Sequence, residues 1–271
     1  MKAILQYLWR VVAAAVLLAG ITFIAIDLLA RFQGAPGLPM DQRSQLGLAF
    51  LAALLVSTVL SYLVLRSRWA GTQLVCAIFV AYFGLYTFIP QSEEVGRMAP
   101  TTSVLLTAHG FLGGLVYSLV LVALMGRLRA QVVERESARL HMAVREWLWK
   151  VGVCIVVGPG LDLLGRAAFW PWTQSLDLSP VAHPIALLVG RSLLLIAFML
   201  PIIKMMRGGR LETAVAVAVL LGVLAGVAPL AMARLYAPGS FSLTHVVAIS
   251  VANFLYGMLV GYLFSREPAQ R

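Results

Sequence analysis

The sequence is dominated by eight apolar runs, each about 20 residues long and able to cross a bilayer core about 30 Å thick. They cover roughly 11–30, 46–65, 70–90, 104–126, 148–169, 184–203, 211–232 and 242–264. Only 12% of the 271 residues are charged, which is too few for a water-soluble domain of this length. We therefore predict an all-α, polytopic integral membrane protein with about eight transmembrane helices.

The net charge of +10 is divided unevenly between the two sides of such a protein. With the amino terminus inside, the inner segments hold 15 Lys and Arg residues, the outer segments hold five, and Arg191 falls within a span. Because cytoplasmic loops carry the excess of basic residues, both termini are predicted to be cytoplasmic. We expect a multi-pass protein of the inner (cytoplasmic) cell membrane, with membrane lipids and not nucleic acid as its partners.

The connections between the runs are short, so residues 1–271 are predicted to form a single membrane domain. The longest inner connection is 127–147. Its apolar residues recur near helical spacing among basic ones, at Leu128, Val132, Leu140, Val144 and Trp147. This pattern is typical of an amphipathic helix on the cytoplasmic membrane surface, and a solvated connector is the alternative.

Glycines spaced four residues apart occur in three runs, as Gly110 and Gly114, Gly222 and Gly226, and Gly257 and Gly261. This spacing lets helix backbones approach closely in lipid, so all three pairs are predicted to be packing positions. The fifth run is interrupted by Gly158-Pro159-Gly160. Because proline removes a backbone donor and clashes with the preceding turn, we expect a kink or break there, which often lines a cavity.

Three of the four histidines and several acidic residues fall near the predicted outer face. They are His109, His183 and His245 at the starts of the fourth, sixth and eighth runs, Glu93 and Glu94 after the third, and Asp27 and Asp162 in the outer halves of the first and fifth. Ionisable residues inside a membrane are costly and usually face a partner or a water-filled cavity. We therefore expect these segments to pool their polar groups in one pocket near the outer face.

Arg191 lies about 10–12 Å inside the sixth helix and needs a counter-ion at that depth. Asp162 on the neighbouring helix is the predicted counter-ion, and Asn253 is expected to form a second polar layer. Three carboxylates can also pair locally, one helical turn away, as Asp27 with Arg31, Glu93 with Arg97, and Asp162 with Arg166. Glu94 has no such neighbour and is the better candidate for chemistry.

Three short motifs near the outer face carry a family resemblance. The stretch Glu93-Glu94-Val-Gly-Arg97 resembles the EExxxR and EExxK signatures of the CAAX-protease/bacteriocin-processing superfamily and its PrsW-type relatives, which are intramembrane proteases. The stretch Phe241-Ser-Leu-Thr-His245 is similar to the FxxxH pattern of the first group. His183 and Gly190 reproduce the histidine–glycine spacing of the second.

This resemblance implies that Glu93 or Glu94 acts as the base that activates water. It also implies that His183, His245 and Asn253 stabilise the oxyanion. The other polar residues of the predicted pocket are then expected to bind substrate, namely His109, Arg97, Asp162 and Arg191, together with Asn253.

The polar pocket leaves several functions open. The first hypothesis is a membrane-embedded, protease-like hydrolase acting on a membrane protein. The second is a transporter or binder of an anionic lipid or another amphiphile, because three helix amino termini at the outer face favour an anion. The third is a non-catalytic subunit that stabilises a partner.

No cofactor is predicted for this pocket, although its residue types suit two. Three histidines and a glutamate suit Zn²⁺, whose catalytic sites take three protein ligands and a water molecule. A haem between two of the histidines is a further option.

Overall fold

The computed structural model of the protein describes residues 2–32, 43–94, 100–130, 139–140, 142–173, 185–229 and 243–265. Its helices are α1 (Lys2–Phe32), α2 (Arg43–Leu65), α3 (Gly71–Tyr82), α4 (Ile89–Glu94), α5 (Pro100–Leu124), α6 (Val144–Thr173), α7 (Ile185–Met205), α8 (Arg210–Gly222) and α9 (Leu243–Phe264). Two further segments are π-helical: π1 (Phe83–Phe88) joins α3 to α4, and π2 (Val223–Val227) follows α8.

Eight stretches of these helices are long and apolar enough to cross a membrane. They are Ile4–Ala25, Gly47–Leu65, Gly71–Ser92, Ser103–Leu124, Val144–Gly165, Leu187–Met205, Arg210–Val227 and Val246–Phe264. The third of them runs through α3, π1 and α4 and is called the third span below. These stretches confirm the predicted all-α, polytopic membrane protein. The first begins earlier than predicted, because the single charge of Arg10 does not interrupt the helix.

The described helices form two halves of four spans each. In the first half, α1, α2, α5 and the third span pack mainly against one another. In the second half, α9 packs against α6, α7 and, most extensively, α8. The halves meet where the third span contacts α7 and where α2 contacts α8 and π2. An even number of spans brings the chain back to the side from which it started.

Close backbone contact explains the tight packing of α8 against α9. A Cβ atom added at Gly257 would lie 2.8 Å from Ala218 Cα, and one at Gly261 would lie 2.6 Å from Ala214 Cα. On the opposing helix, a Cβ at Gly226 would lie 2.9 Å from Ser250 Cα. Only glycine allows approaches this short, so the predicted packing role of these glycines is confirmed.

The glycines of α5 perform the same task against the third span. Thr87 occupies the place of a Cβ atom at Gly110, and Tyr82 Cδ1 lies 2.9 Å from the corresponding position at Gly114. Gly110 and Gly114 are therefore also packing positions. Tyr82 continues the contact through its ring, whose centroid lies 5.2 Å from that of Tyr117 on α5.

The long inner connection between α5 and α6 is not one continuous helix. Residues 127–130, 139–140 and 142–143 are non-helical, and the helical path resumes at Val144 as part of α6. Arg139 anchors the segment to the second half, because its buried guanidinium donates hydrogen bonds to Met206 O (2.9 Å) and Thr213 Oγ1 (3.1 Å). Residues 131–138 lie outside the described residues, and a surface helix there stays a prediction.

Candidate functional site

Three of the predicted substrate-binding residues line one cavity between α6, α7 and α9. These are Asp162, Arg191 and Asn253, which come from three different helices. The other lining residues are Gly158, Pro159, Leu161, Leu188, Ser192, Leu195, Ile249, Ala252 and Tyr256. We call this space the α6–α7–α9 cavity.

An ion pair spans the cavity. Arg191 Nη1 lies 3.3 Å from Asp162 Oδ1, and the two side chains are 18% and 16% exposed. This contact confirms the counter-ion that the sequence predicts for Arg191. Charge-assisted N–H···O hydrogen bonds are usually about 2.7–2.9 Å long, so this pair is loosely held.

The ion pair lies in the half of the membrane predicted to face outward. The inner ends of α6 and α7 are at Val144 and Met205. At 1.5 Å per residue, Asp162 lies about 27 Å and Arg191 about 21 Å above those ends. With a hydrocarbon core about 30 Å thick, both charges fall well past its midplane.

Gly158 lines the cavity where α6 makes close contact with α7 and α9. A Cβ atom at Gly158 would lie 2.5 Å from Ser192 Oγ and 3.0 Å from Tyr256 Cε2, so the glycine lets α7 and α9 close on α6. The Tyr256 hydroxyl donates a hydrogen bond to Ser192 O at 3.2 Å. This bond ties α9 to α7 directly below the ion pair.

Pro159 does not break α6. The helix is continuous from Val144 to Thr173, so the predicted interruption is wrong as a break. One missing N–H group is tolerated because the flanking turns keep their own hydrogen bonds. Pro159 lines the cavity instead, and its ring leaves the carbonyl of Ile155 without the usual helical donor.

Asn253 connects the cavity to π2. Its Nδ2 donates a hydrogen bond to Ala225 O at 2.7 Å, and the residue is 5% exposed. Ala225 lies inside Val223–Val227, where the wider π turn changes the pairing of the backbone carbonyls. The predicted second polar layer is therefore an amide that also satisfies an irregular stretch of the neighbouring helix.

The α6–α7–α9 cavity is small inside and open on one side. Its enclosed part has a volume of about 20 Å³, which is enough for about one water molecule, and the volume including the mouth is about 380 Å³. The helix α6 is peripheral, since only 11% of the span Val144–Gly165 is buried. Its exposed apolar side chains include Val156, Leu163 and Leu164.

His109 takes part in a different contact. Its Nε2 lies 3.1 Å from Ile21 O and links α5 to α1 in the first half of the protein. Gly113, one turn away, leaves the space that the Ile21 side chain fills. His109 is not among the described residues that line the α6–α7–α9 cavity.

The remaining predicted site residues lie beyond what the structure describes. Residues 95–99 and 174–184, which include Arg97 and His183, fall outside the described ranges, as do the side chains of Glu93, Glu94 and His245. Their convergence therefore stays a prediction. Among the described residues, no three His, Cys, Asp or Glu side chains are placed to hold a metal ion.

Ser192 and Tyr256 also line the cavity, and neither residue was predicted from the sequence. Serine in a membrane helix usually bonds to its own helix, as Ser192 Oγ does to Leu188 O at 3.0 Å. The signal that could have found them is Gly158, because a glycine beside a proline in a lipid-facing helix indicates close neighbours.

No protein-family model, curated protein or solved structure matches this chain. The interpretation of the cavity therefore rests on its own chemistry.

Proposed function

We infer that this integral membrane protein binds the anionic head group of a lipid or another amphiphile at Arg191, in the α6–α7–α9 cavity. The observation that carries this proposal is the ion pair between Arg191 and Asp162, held at 3.3 Å in a cavity at membrane depth. The proposal places the head group at the guanidinium, where it replaces the carboxylate of Asp162.

The energetics of the ion pair favour a binding role. A charged residue inside the membrane is costly and usually faces a partner or a water-filled cavity. Apolar residues of similar volume often replace a buried ion pair without loss of stability. A purely structural role therefore explains the pair less well than a role that needs the charge.

The length of the ion pair favours exchange. A contact of 3.3 Å is longer than a well-formed hydrogen bond between charged groups. A ligand carboxylate or phosphate can approach the planar guanidinium with two parallel hydrogen bonds, which makes arginine the preferred residue for such anions. A ligand carboxylate or phosphate can therefore compete with Asp162 for Arg191.

The surroundings of the ion pair suit an amphiphile. Leu161, Leu188, Leu195 and Ile249 line the cavity beside the charges, so an acyl chain has apolar contacts next to the head group. Because Leu163 and Leu164, next to Asp162 on α6, are 57% and 66% exposed, a ligand can approach α6 from within the bilayer. The enclosed volume admits only a small part of the head group, and the rest occupies the mouth.

The hydrolase hypothesis is the second candidate and stays a prediction. It depends on Glu93, Glu94, His183 and His245, whose side chains lie outside the described residues. Arg191, Asp162 and Asn253 can hold and neutralise an anion, whereas this set contains no base that would activate water without disrupting the ion pair. Binding is therefore the function that the described geometry supports best.

Binding can be tested by titrating the purified protein with fluorescent NBD-phosphatidylglycerol, which is anionic, and with zwitterionic NBD-phosphatidylcholine. We expect saturable binding of the anionic lipid, at least tenfold weaker in Arg191→Ala and largely kept in Arg191→Lys. Arg10→Ala is the matched control, because it removes an arginine from α1, away from the cavity. Equal binding of both lipids, or no effect of Arg191→Ala in a folded protein, would overturn the proposal.

A further inference from the structure

The two halves of the protein are joined at their inner ends by main-chain hydrogen bonds. Ser67, which follows α2, forms an isolated antiparallel bridge with Met206, which follows α7. Two hydrogen bonds flank this pair: Arg68 N donates to Met205 O at 2.7 Å, and Arg207 N donates to Arg66 O at 2.9 Å. We call residues 66–68 and 205–207 the inner clamp.

Side chains around the inner clamp add polar contacts between the halves. Arg66 Nε and the Tyr62 hydroxyl, both from the first half, donate hydrogen bonds to Glu212 Oε1 on α8 at 2.6 and 3.0 Å. The hydrogen bond and negative charge of Glu212 raise the pKa of Arg66, so the arginine stays protonated. Arg68 Nε also reaches across the halves to Met206 O at 3.3 Å.

These contacts differ in kind from the apolar packing within each half. The side chains of Arg66 and Glu212 are 47% and 31% exposed, and water can replace each partner of such a pair when it separates. Ser67, Met205 and Met206 are fully buried, so the inner clamp is closed to water in this conformation, and opening it must break its main-chain hydrogen bonds and expose these side chains.

Deeper in the membrane, the halves meet at irregular helices. The π1 and π2 segments contact each other across the boundary. Gly84, in π1, lies directly beneath the Phe198 ring of α7, where a Cβ atom would collide with the ring. Single π-helical turns inside α-helices occur frequently at functional sites. The two halves therefore meet at two irregular helical segments.

The cavity is connected to the same boundary. Asn253 lines the α6–α7–α9 cavity and donates to Ala225 O in π2. A ligand that contacts the Asn253 amide therefore acts directly on the segment that touches the first half.

We propose that the protein carries its anionic amphiphile across the membrane and that the inner clamp is the gate that must open for release on the inner side. This inference rests on the function proposed above. In the described conformation the ion pair lies in the half of the membrane predicted to face outward, and the clamp is closed at the inner end. Transport then requires the halves to separate at residues 66–68 and 205–207.

The geometry of the bridge supplies a direct test. Because the two main-chain hydrogen bonds flank Ser67 and Met206 on either side, the pair is of the non-hydrogen-bonded type, with the side chains close together. Ser67→Cys and Met206→Cys, combined with Cys76→Ser and Cys154→Ser, should form a disulfide on oxidation and lock the clamp. The same protein after reduction, and each single-cysteine variant, are the matched controls.

Two assays on the oxidised protein separate binding from transport. We expect its affinity for NBD-phosphatidylglycerol to stay within about twofold of the reduced protein. We expect movement of the same lipid between leaflets of proteoliposomes, followed by dithionite quenching, to fall at least tenfold and to recover with reductant. NBD-phosphatidylcholine should not move in either state.

Each other outcome is decisive. If the oxidised protein moves the anionic lipid at the reduced rate, the clamp is not a gate. If the reduced protein binds the lipid but does not move it, transport is excluded while the binding function stands. If neither state binds the lipid, the binding function itself fails.

Discussion

Arg191 Nη1 lies 3.3 Å from Asp162 Oδ1 across the contact between α7 and α6, and each side chain remains less than one-fifth exposed. The pair places Arg191, a cation that an anionic ligand can bind, beside the apolar side chains that line the cavity. Substitution of Arg191 should weaken the binding of an anionic ligand, whereas substitution of Asp162 should strengthen it.

Replacing Asp162 with Asn should strengthen binding of an anionic lipid, because the ligand no longer competes with a resident carboxylate for Arg191. We expect at least a threefold gain for NBD-phosphatidylglycerol and no gain for NBD-phosphatidylcholine. The ligand-free variant should be less stable by about 1–3 kcal/mol, since the charge–charge attraction between Arg191 and residue 162 is lost. Fluorescence titration measures the first effect and thermal unfolding the second; weaker binding of the anionic lipid would refute the exchange mechanism.

The cavity should not tolerate a methyl group at Gly158. In Gly158→Ala the new Cβ would lie 2.5 Å from Ser192 Oγ and 3.0 Å from Tyr256, so α7 and α9 must shift, which costs about 1–3 kcal/mol. Gly160→Ala is the matched control, because no atom lies within 4 Å of its Cβ position. Thermal unfolding in detergent should therefore show a lower Tm for the first variant and an unchanged or higher Tm for the second.

The contact between α8 and α9 should be equally sensitive. The Cβ of Gly257→Ala would lie 2.8 Å from Ala218 Cα, and a backbone atom cannot move aside as the end of a side chain can. We expect a loss of about 1–3 kcal/mol, compared with almost none for Gly190→Ala, which has open space at its Cβ position. Similar Tm values for the two variants would mean that the helices are packed less closely than described.

The Asn253 side chain should protect the π2 segment from hydrogen exchange. Asn253→Ala removes the donor to Ala225 O, and an unsatisfied buried carbonyl costs about 1–3 kcal/mol. Hydrogen–deuterium exchange should increase within Val223–Val227 and change little in α2. Ser92→Ala is the control, because the Ser92 hydroxyl donates a hydrogen bond to Ile89 O within α4. If both variants give the same exchange pattern, the amide does not hold the segment.

Hydropathy and burial cost make part of this protein predictable from sequence. The spans follow from apolar length alone, and the counter-ion of Arg191 follows because Asp162 is the acidic residue at matching depth on the preceding span. Glycine spacing likewise predicts the close contacts of Gly257 and Gly261. These inferences depend only on depth and residue size, both of which the sequence gives directly.

Helix rotation and irregular turns are not predictable in this way. His109 has the depth expected of a pocket residue, but the rotation of α5 directs it to Ile21 O on α1. The π1 and π2 segments are as apolar as the helices that precede them, so hydropathy does not distinguish them. The inner clamp was missed because Arg66, Arg68 and Arg207 are also what the positive-inside rule requires at any inner loop.

The central claim can be tested most directly by photo-crosslinking with an anionic phospholipid that carries a diazirine next to its head group. After irradiation and peptide mass spectrometry, we predict labels on α6, α7 and α9 around Gly158–Asp162, Leu188–Leu195 and Ile249–Tyr256. Labelling there should fall at least tenfold in Arg191→Ala and should compete with unlabelled phosphatidylglycerol. Labels spread over other lipid-facing helices, at the same level in both proteins, would contradict the account.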